Sequence, residues 1–187
     1  IPLRRCYLNC VFDSTFTSRS ALKTYEHYDE VADIVNFVYH TGFRPGKELY
    51  VLKDKHLTSM TNTRNEKYYE IDPEHRKVNQ KRQVTQQNSI VKKIYENRIC
   101  KRYPIETGEE YIFFANNPNR QQVRNLVDKV FRKVSKLLNL YYIKDSRRNR
   151  SLYALRSSGM IGMDIHTNAT AEDIARHFNS SPSMQTK

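Results

Sequence analysis

The stretch NPNRQQVRNLVDKVFRKVSKLLNL, residues 117–140, leaves this chain the least freedom. Val123, Leu126, Val127, Val130, Val134, Leu137 and Leu138 recur three and four residues apart, on one stripe of an α-helix whose other face is largely Lys and Arg. Asn117 is placed to cap this helix, and Pro118 suits its first turn. Such a stripe is stable in water only when other elements cover it. One candidate cover is EVADIVNFVYHTG, in which Val31, Ile34, Val35, Val38 and Tyr39 form a second stripe. Gly42 supplies its left-handed C-cap, and Pro45-Gly46 opens a further turn.

The remaining segments read as shorter pieces. FDSTFTSRSAL is a linker running into a helix start, with Thr17 or Ser18 as N-cap. ELYVLKDKHL continues as helix and then strand. NEKYYEIDPEHRKVNQKRQVTQ alternates as two strands around a tight connection near Asn79-Gln80. NSIVKKIYENRI is helical, with Ile90, Val91, Ile94 and Tyr95 facing inward, and EEYIFFA is a short buried strand or extended segment. NRSLYALRSSGMIGM starts another helix, Thr170 with Asp173 starts TAEDIARHF, and Ser181-Pro182 signals one more at SPSMQTK. The expected fold is α+β, mainly α, with a small antiparallel sheet.

Composition excludes several classes. A chain of 187 residues is long enough for one domain with a real core, and 13 Tyr and 8 Phe supply bulk for it despite a mean hydropathy of −0.79. No run of 18 apolar residues exists, so no membrane span is expected, and IPLRRCYLNC is too polar for a signal peptide. Cys6, Cys10 and Cys100 are an odd set without CxxC spacing, so free thiols in a reducing compartment are expected. They also lack His partners at ligand spacing, and neither a metal nor a cofactor is called for.

Charge says more by its distribution than by its total of +12. Residues 21–75 hold seven Lys/Arg against ten Asp/Glu; residues 119–156 hold eleven against two. Clustered cations neutralise phosphates and release counterions, so a nucleic acid is the economical partner. The plainer alternative is a basic helix face that only keeps the protein soluble.

Several motifs then fall in a suggestive order. HTGFRPGKEL resembles the first arginine box of the tyrosine recombinases, the phage-type integrases. LYALRSSGM resembles their second arginine box, and DIARHFNSSPSM the segment before their nucleophile. RKVNQKRQV stands where these enzymes carry a lysine on a β-hairpin, and FFANNPN and STFT fit the same pattern, so the resemblance runs from about Thr15 to Lys187. It implies that residues 1–16 are a linker from a preceding core-binding domain, and that residues 17–187 are a catalytic domain ending just short of its nucleophile. It also implies duplex attachment sites as substrate, a tetramer on DNA, accessory DNA-bending proteins as further partners, and a place on DNA in the cytoplasm.

The chemistry explains why those residue types are needed. A tyrosine oxygen attacks the scissile phosphate, forming a 3′-phosphotyrosyl link and freeing a 5′-hydroxyl. Two permanently charged, fork-shaped guanidiniums match the non-bridging oxygens, and the resemblance gives that role to Arg44 and Arg156. A lysine protonates the leaving oxygen: Lys77 matches best, with Lys81 as the alternative. Tyr153 stands three residues before Arg156, where many members have His, and serves either as a phosphate donor or as core. Glu48 follows Arg44 by four residues rather than three and buttresses the pair. Ser157 replaces a usual His, and Asn179 occupies the place of the His or Trp before the nucleophile. His177, close by, points elsewhere. Counting on from Asn179, the nucleophile is expected at position 188, beyond Lys187. Arg82, Lys81 and the loop arginines Arg147, Arg148 and Arg150 are candidate phosphate contacts. The alternative functional reading is a DNA-binding protein that keeps this fold without the reaction. Two structural alternatives stay open too: Arg44 bonding carbonyls at a helix end, and Arg156 pairing with buried Glu48.

Overall fold

A computed structural model describes residues 19–61, 63–65, 67–72, 82–84, 88–142 and 149–178. The long helix α1 (Arg19–Thr41) runs through the centre and buries Val31, Ile34, Phe37 and Val38. Phe37 packs on Phe43 and edge-on against Phe113, with ring centroids 5.4 and 5.3 Å apart. Gly42 ends the helix at φ +65° and donates its N–H to the Val38 carbonyl at 2.9 Å. After Pro45-Gly46 the short α2 (Lys47–Tyr50) buries Leu49 and Tyr50, and a 3₁₀ turn (Asp54–His56) leads into the sheet.

The sheet has three antiparallel strands in the order β1 (Leu57–Thr61), β2 (Lys67–Ile71), β3 (Arg82–Val84). Leu57 pairs with Ile71, Tyr69 with Val84, and Ile71 with Arg82. The helix-then-strand expectation for ELYVLKDKHL holds in order, but the strand starts only at Leu57 and runs on through LTSMT, which leaves four of five residues exposed and shows no apolar alternation. The hairpin of β2 and β3 is as expected, but its register is not. A two-residue turn at Asn79-Gln80 would set Ile71 opposite Asn88, which instead opens α3 (Asn88–Ile94). Tyr69 and Ile71 share the buried face of β2.

α3 widens into a π-turn (Tyr95–Ile99) and continues as α4 (Cys100–Arg102). This segment fastens to α1 through ions. Asp33, fully buried on α1, meets Arg98 Nε at 3.0 Å and Arg102 Nη2 at 3.2 Å. Glu30, one turn earlier, accepts from the Tyr103 hydroxyl at 3.0 Å and from the Phe114 N–H. Burial pushes the Asp33 carboxyl up to about 6 against the pull of both arginines, and Glu30 is raised by the same cause.

EEYIFFA is irregular chain rather than a strand: Tyr111 makes one bridge to Lys53, and Phe114 takes φ +53°. Ile112, Phe113 and Phe114 are nonetheless buried. Arg120 holds this segment, donating to the carbonyls of Tyr50 (2.6 Å), Phe113 (2.7 Å), Phe114 (3.1 Å) and Asn117 (2.7 Å), with its plane 4.0 Å from the Tyr111 ring. It opens α5 (Arg120–Leu137), whose N-cap is Asn119, not Asn117: the Asn119 side chain accepts from Gln122 N–H at 3.1 Å. Asn117 instead accepts from the Asn119 N–H, so both Asn117 and Pro118 precede the helix. Val123, Val127 and Val130 of the stripe are buried, whereas Leu137 is 55% exposed because the helix ends there and leaves its neighbours.

A bridge between Tyr142 and Asn149 closes a hairpin before α6 (Ala154–His166), and α7 (Ala171–Phe178) follows. Thr170 and Asp173 form the expected capping box, Thr170 Oγ1 accepting from Asp173 N–H at 3.2 Å while Asp173 accepts from Thr170 N–H at 3.1 Å. Among the described residues no helix is long and apolar enough to cross a membrane. The expected N-caps Thr17 and Ser18, Cys6, Cys10 and the SPSMQTK segment lie outside the described residues.

Candidate functional site

The site forms where four chain ends converge: the C-terminus of α1, the turn into α2, the first turns of α6, and the last turn of α7. Each is set by local sequence. Gly42 reverses the chain in a conformation that strains any residue bearing a Cβ. Phe43 is then fully buried, which leaves Arg44 half-buried at the pocket edge. On α6, Tyr153 sits at the N-terminal edge, 49% exposed, and Arg156 lies one turn inside at 4%.

Glycines bring Arg156 this close to α1. A Cβ at Gly159 would overlap the Tyr39 carbonyl oxygen and lie 3.0 Å from the Phe178 ring. A Cβ at Gly162, on the same face, would overlap the Tyr39 hydroxyl. α1 and α6 therefore touch backbone to backbone, one turn from the guanidinium.

Arg156 donates through Nη1 to the Gly42 carbonyl at 2.9 Å and through Nη2 to the Phe178 carbonyl. Its pKa is lowered, first by burial and next by the positive charge of Arg44, while Tyr153 and Glu48 oppose the shift. Glu48 is itself buried on α2. Four residues read from sequence (Arg44, Glu48, Tyr153 and Arg156) thus share one electrostatic environment. Neutral carbonyls orient a guanidinium without cancelling its charge. Two guanidiniums against one carboxylate leave the pocket positive, and planar forks suit a tetrahedral oxyanion.

Exposure removes one alternative: Tyr153 is not core. Arg156 itself bonds carbonyls at a helix end, and Glu48 acts on it through charge. Arg82 begins β3, and β3 packs against α7. Arg150 is exposed on the hairpin arm, its N–H bonded to the Tyr141 carbonyl at 2.8 Å. Lys77, Lys81, Arg147, Arg148 and Asn179 lie outside the described residues. His177 is buried, with Nε2 2.8 Å from the His40 carbonyl oxygen near the end of α1. Sequence reasoning missed Phe178, although the i, i+3 glycines of GMIG mark a helix face built for close approach.

The described architecture is mainly helical with a small antiparallel sheet, and its fold is similar to that of a solved integrase. Among solved structures it is similar to the Tn1549 transposon integrase in complex with transposon right end DNA, with a TM-score of 0.52. Sequence identity is 16%, so the likeness is one of fold; it covers 95% of this chain and 63% of that one. No protein-family model matches the chain, and no curated protein matches it in sequence.

Proposed function

We propose that this chain is the DNA-cleaving domain of a tyrosine-type site-specific recombinase, an integrase that breaks and rejoins duplex DNA by phosphoryl transfer. The observation that carries this reading is that buried Arg156 on α6 feels both the positive charge of Arg44, in the turn after α1, and the carboxylate of buried Glu48 on α2. The likeness in fold to a DNA-bound integrase supports it.

In this reading the scissile phosphate lies between the two guanidiniums, which take up the charge that grows on its non-bridging oxygens. Carbonyl-held Arg156 gives the fixed half of the clamp, and Arg44 the half nearer solvent. The exposed Tyr153 hydroxyl donates to a phosphate oxygen, and Asn179 contributes where relatives use His or Trp. The nucleophile is a tyrosine at position 188 of a longer gene product. Its oxygen bonds to phosphorus as the 5′-oxygen leaves, and Lys77, or Lys81 in its place, gives that oxygen a proton. Arg82, Arg147, Arg148 and Arg150 contact flanking phosphates. Residues 1–16 link a preceding core-binding domain to this one, and the assembly is a tetramer on two attachment sites, with accessory DNA-bending proteins among its partners. It works in the cytoplasm, on DNA.

The test uses the chain extended a few residues past position 188, mixed with a nicked duplex that traps the covalent intermediate. A protein–DNA adduct that survives SDS, and is lost in Arg156→Ala, is the expected result. No adduct, with salt-dependent duplex binding intact, would leave a DNA-binding protein of this fold that lacks the reaction.

A further inference from the structure

Arg156 is tied to more than a clamp requires. Its Nη2 holds the last described carbonyl of α7, that of Phe178, while Nη1 holds the carbonyl that ends α1. The Phe178 ring fills the space beside Gly42, where an added Cβ would come within 2.9 Å of ring carbons, and also lies over Gly159. His177 adds a third fastening through the His40 carbonyl, at 2.8 Å. α7 has eight residues, its first three exposed, and Ile174, Ala175, His177 and Phe178 buried. A helix that short has little stability of its own. Its docking depends on the end that meets Arg156.

We propose that α7 and the arginine pocket are one coupled unit, in which a phosphate bound between Arg44 and Arg156 strengthens the docking of α7. This rests on reading the pocket as a phosphate site. The like charge of Arg44 works against the seat of Arg156, and the Glu48 carboxylate offsets it in part. A phosphate removes that repulsion and keeps the guanidinium where it bridges the Gly42 and Phe178 carbonyls. If Arg156 swings toward water, the Phe178 carbonyl loses its donor, which favours release of the helix end. One guanidinium serves both sites, so the effect is reciprocal: docking of α7 raises phosphate affinity by the same factor. Gly42, His177 and Phe178 are accordingly positioning residues, and the chain beyond Phe178 departs from a point that phosphate occupancy fixes.

The experiment is amide hydrogen exchange of residues 171–178 in the full chain, with and without inorganic phosphate at constant ionic strength, alongside calorimetric phosphate binding. Phosphate should slow exchange in α7 about tenfold. Arg44→Gln should slow the phosphate-free exchange and abolish the phosphate effect. Gly42→Ala should speed exchange and weaken phosphate binding by a matching factor, and the milder Phe178→Leu should do the same to a smaller extent. Phosphate binding with unchanged α7 exchange overturns the coupling and leaves the pocket reading standing. Absence of phosphate binding overturns both.

Discussion

Replacing Gly159 with Ala should destabilise the protein by about 2 kcal/mol, whereas the same change at Gly162, three residues along α6, should be close to neutral. The two glycines face the same residue, Tyr39, but different parts of it. At Gly159 the new methyl overlaps a backbone carbonyl oxygen and stands 3.1 Å from its carbon. Ordinary carbon contacts lie at about 3.5–4.0 Å and the overlapping oxygen is nearer still, so α1 and α6 must part by about 1 Å or more. Overpacking of this kind costs about 1–3 kcal/mol, and a rigid helix carbonyl sets it at the upper end. Ala recovers roughly 1 kcal/mol of helix propensity, leaving a net loss near 2. At Gly162 the methyl meets the Tyr39 hydroxyl end, with Cζ at 3.2 Å, and that side chain can swing aside. Propensity then offsets the strain. Thermal unfolding reads the difference: for a domain of this size Gly159→Ala should lower Tm by about 4–8 °C, with Gly162→Ala within a degree or two of wild type. Equal losses at both positions, or none at Gly159, would refute the backbone contact that sets Arg156 against α1.

Three further outcomes follow from other parts of the structure. Asp33 is held at about 6 in the folded protein against 3.8 when free, so the folded state binds its proton more tightly. Its contribution is therefore full below the unfolded value and is lost as pH rises through 6, roughly 3 kcal/mol at about 1.4 per unit. The stability of wild type minus that of Asp33→Asn, from urea midpoints, should fall by that amount between pH 3 and 7; parallel curves would contradict it. Arg120→Lys strips donors from several of the four carbonyls that Arg120 serves and should cost about 3 kcal/mol in urea unfolding. A loss under a few tenths would mean that water replaces them freely. Arg147, Arg148 and Arg150 changed together to Ala should weaken binding to every duplex alike and flatten the salt slope by about 0.9 per lost phosphate contact. An unchanged slope would put that loop off the interface.

Much of the fold was legible because its signals are local. The helical stripes of α1 and α5, the Gly42 cap and the Thr170–Asp173 capping box each depend on residues within one or two turns, and each appears in the structure. The errors came where distant residues decide. Arg120 gathers carbonyls from Tyr50 to Asn117, so the chain runs on past Asn117 before the helix begins at Asn119. The hairpin register sets Ile71 opposite Arg82 rather than the position a two-residue turn at Asn79-Gln80 would give. β1 pairs with β2 although its own sequence shows no strand alternation, because the edge of β2 was there to complete.

The same division holds for the site. The sequence determined which residue types are present and in what order: two arginines after helix-ending and helix-starting motifs, an acid near the first and a tyrosine near the second. It also determined a positive chain suited to a polyanion, since net charge needs no fold to exist. Only tertiary structure decided that Arg44 and Arg156 act on one another, that Glu48 is buried beside them, and that Phe178 closes on Gly42. These contacts link residues of α1, α2, α6 and α7 across most of the chain. Their energies come from burial and close packing, which depend on which surfaces meet in space, and periodicity along the chain carries no record of that.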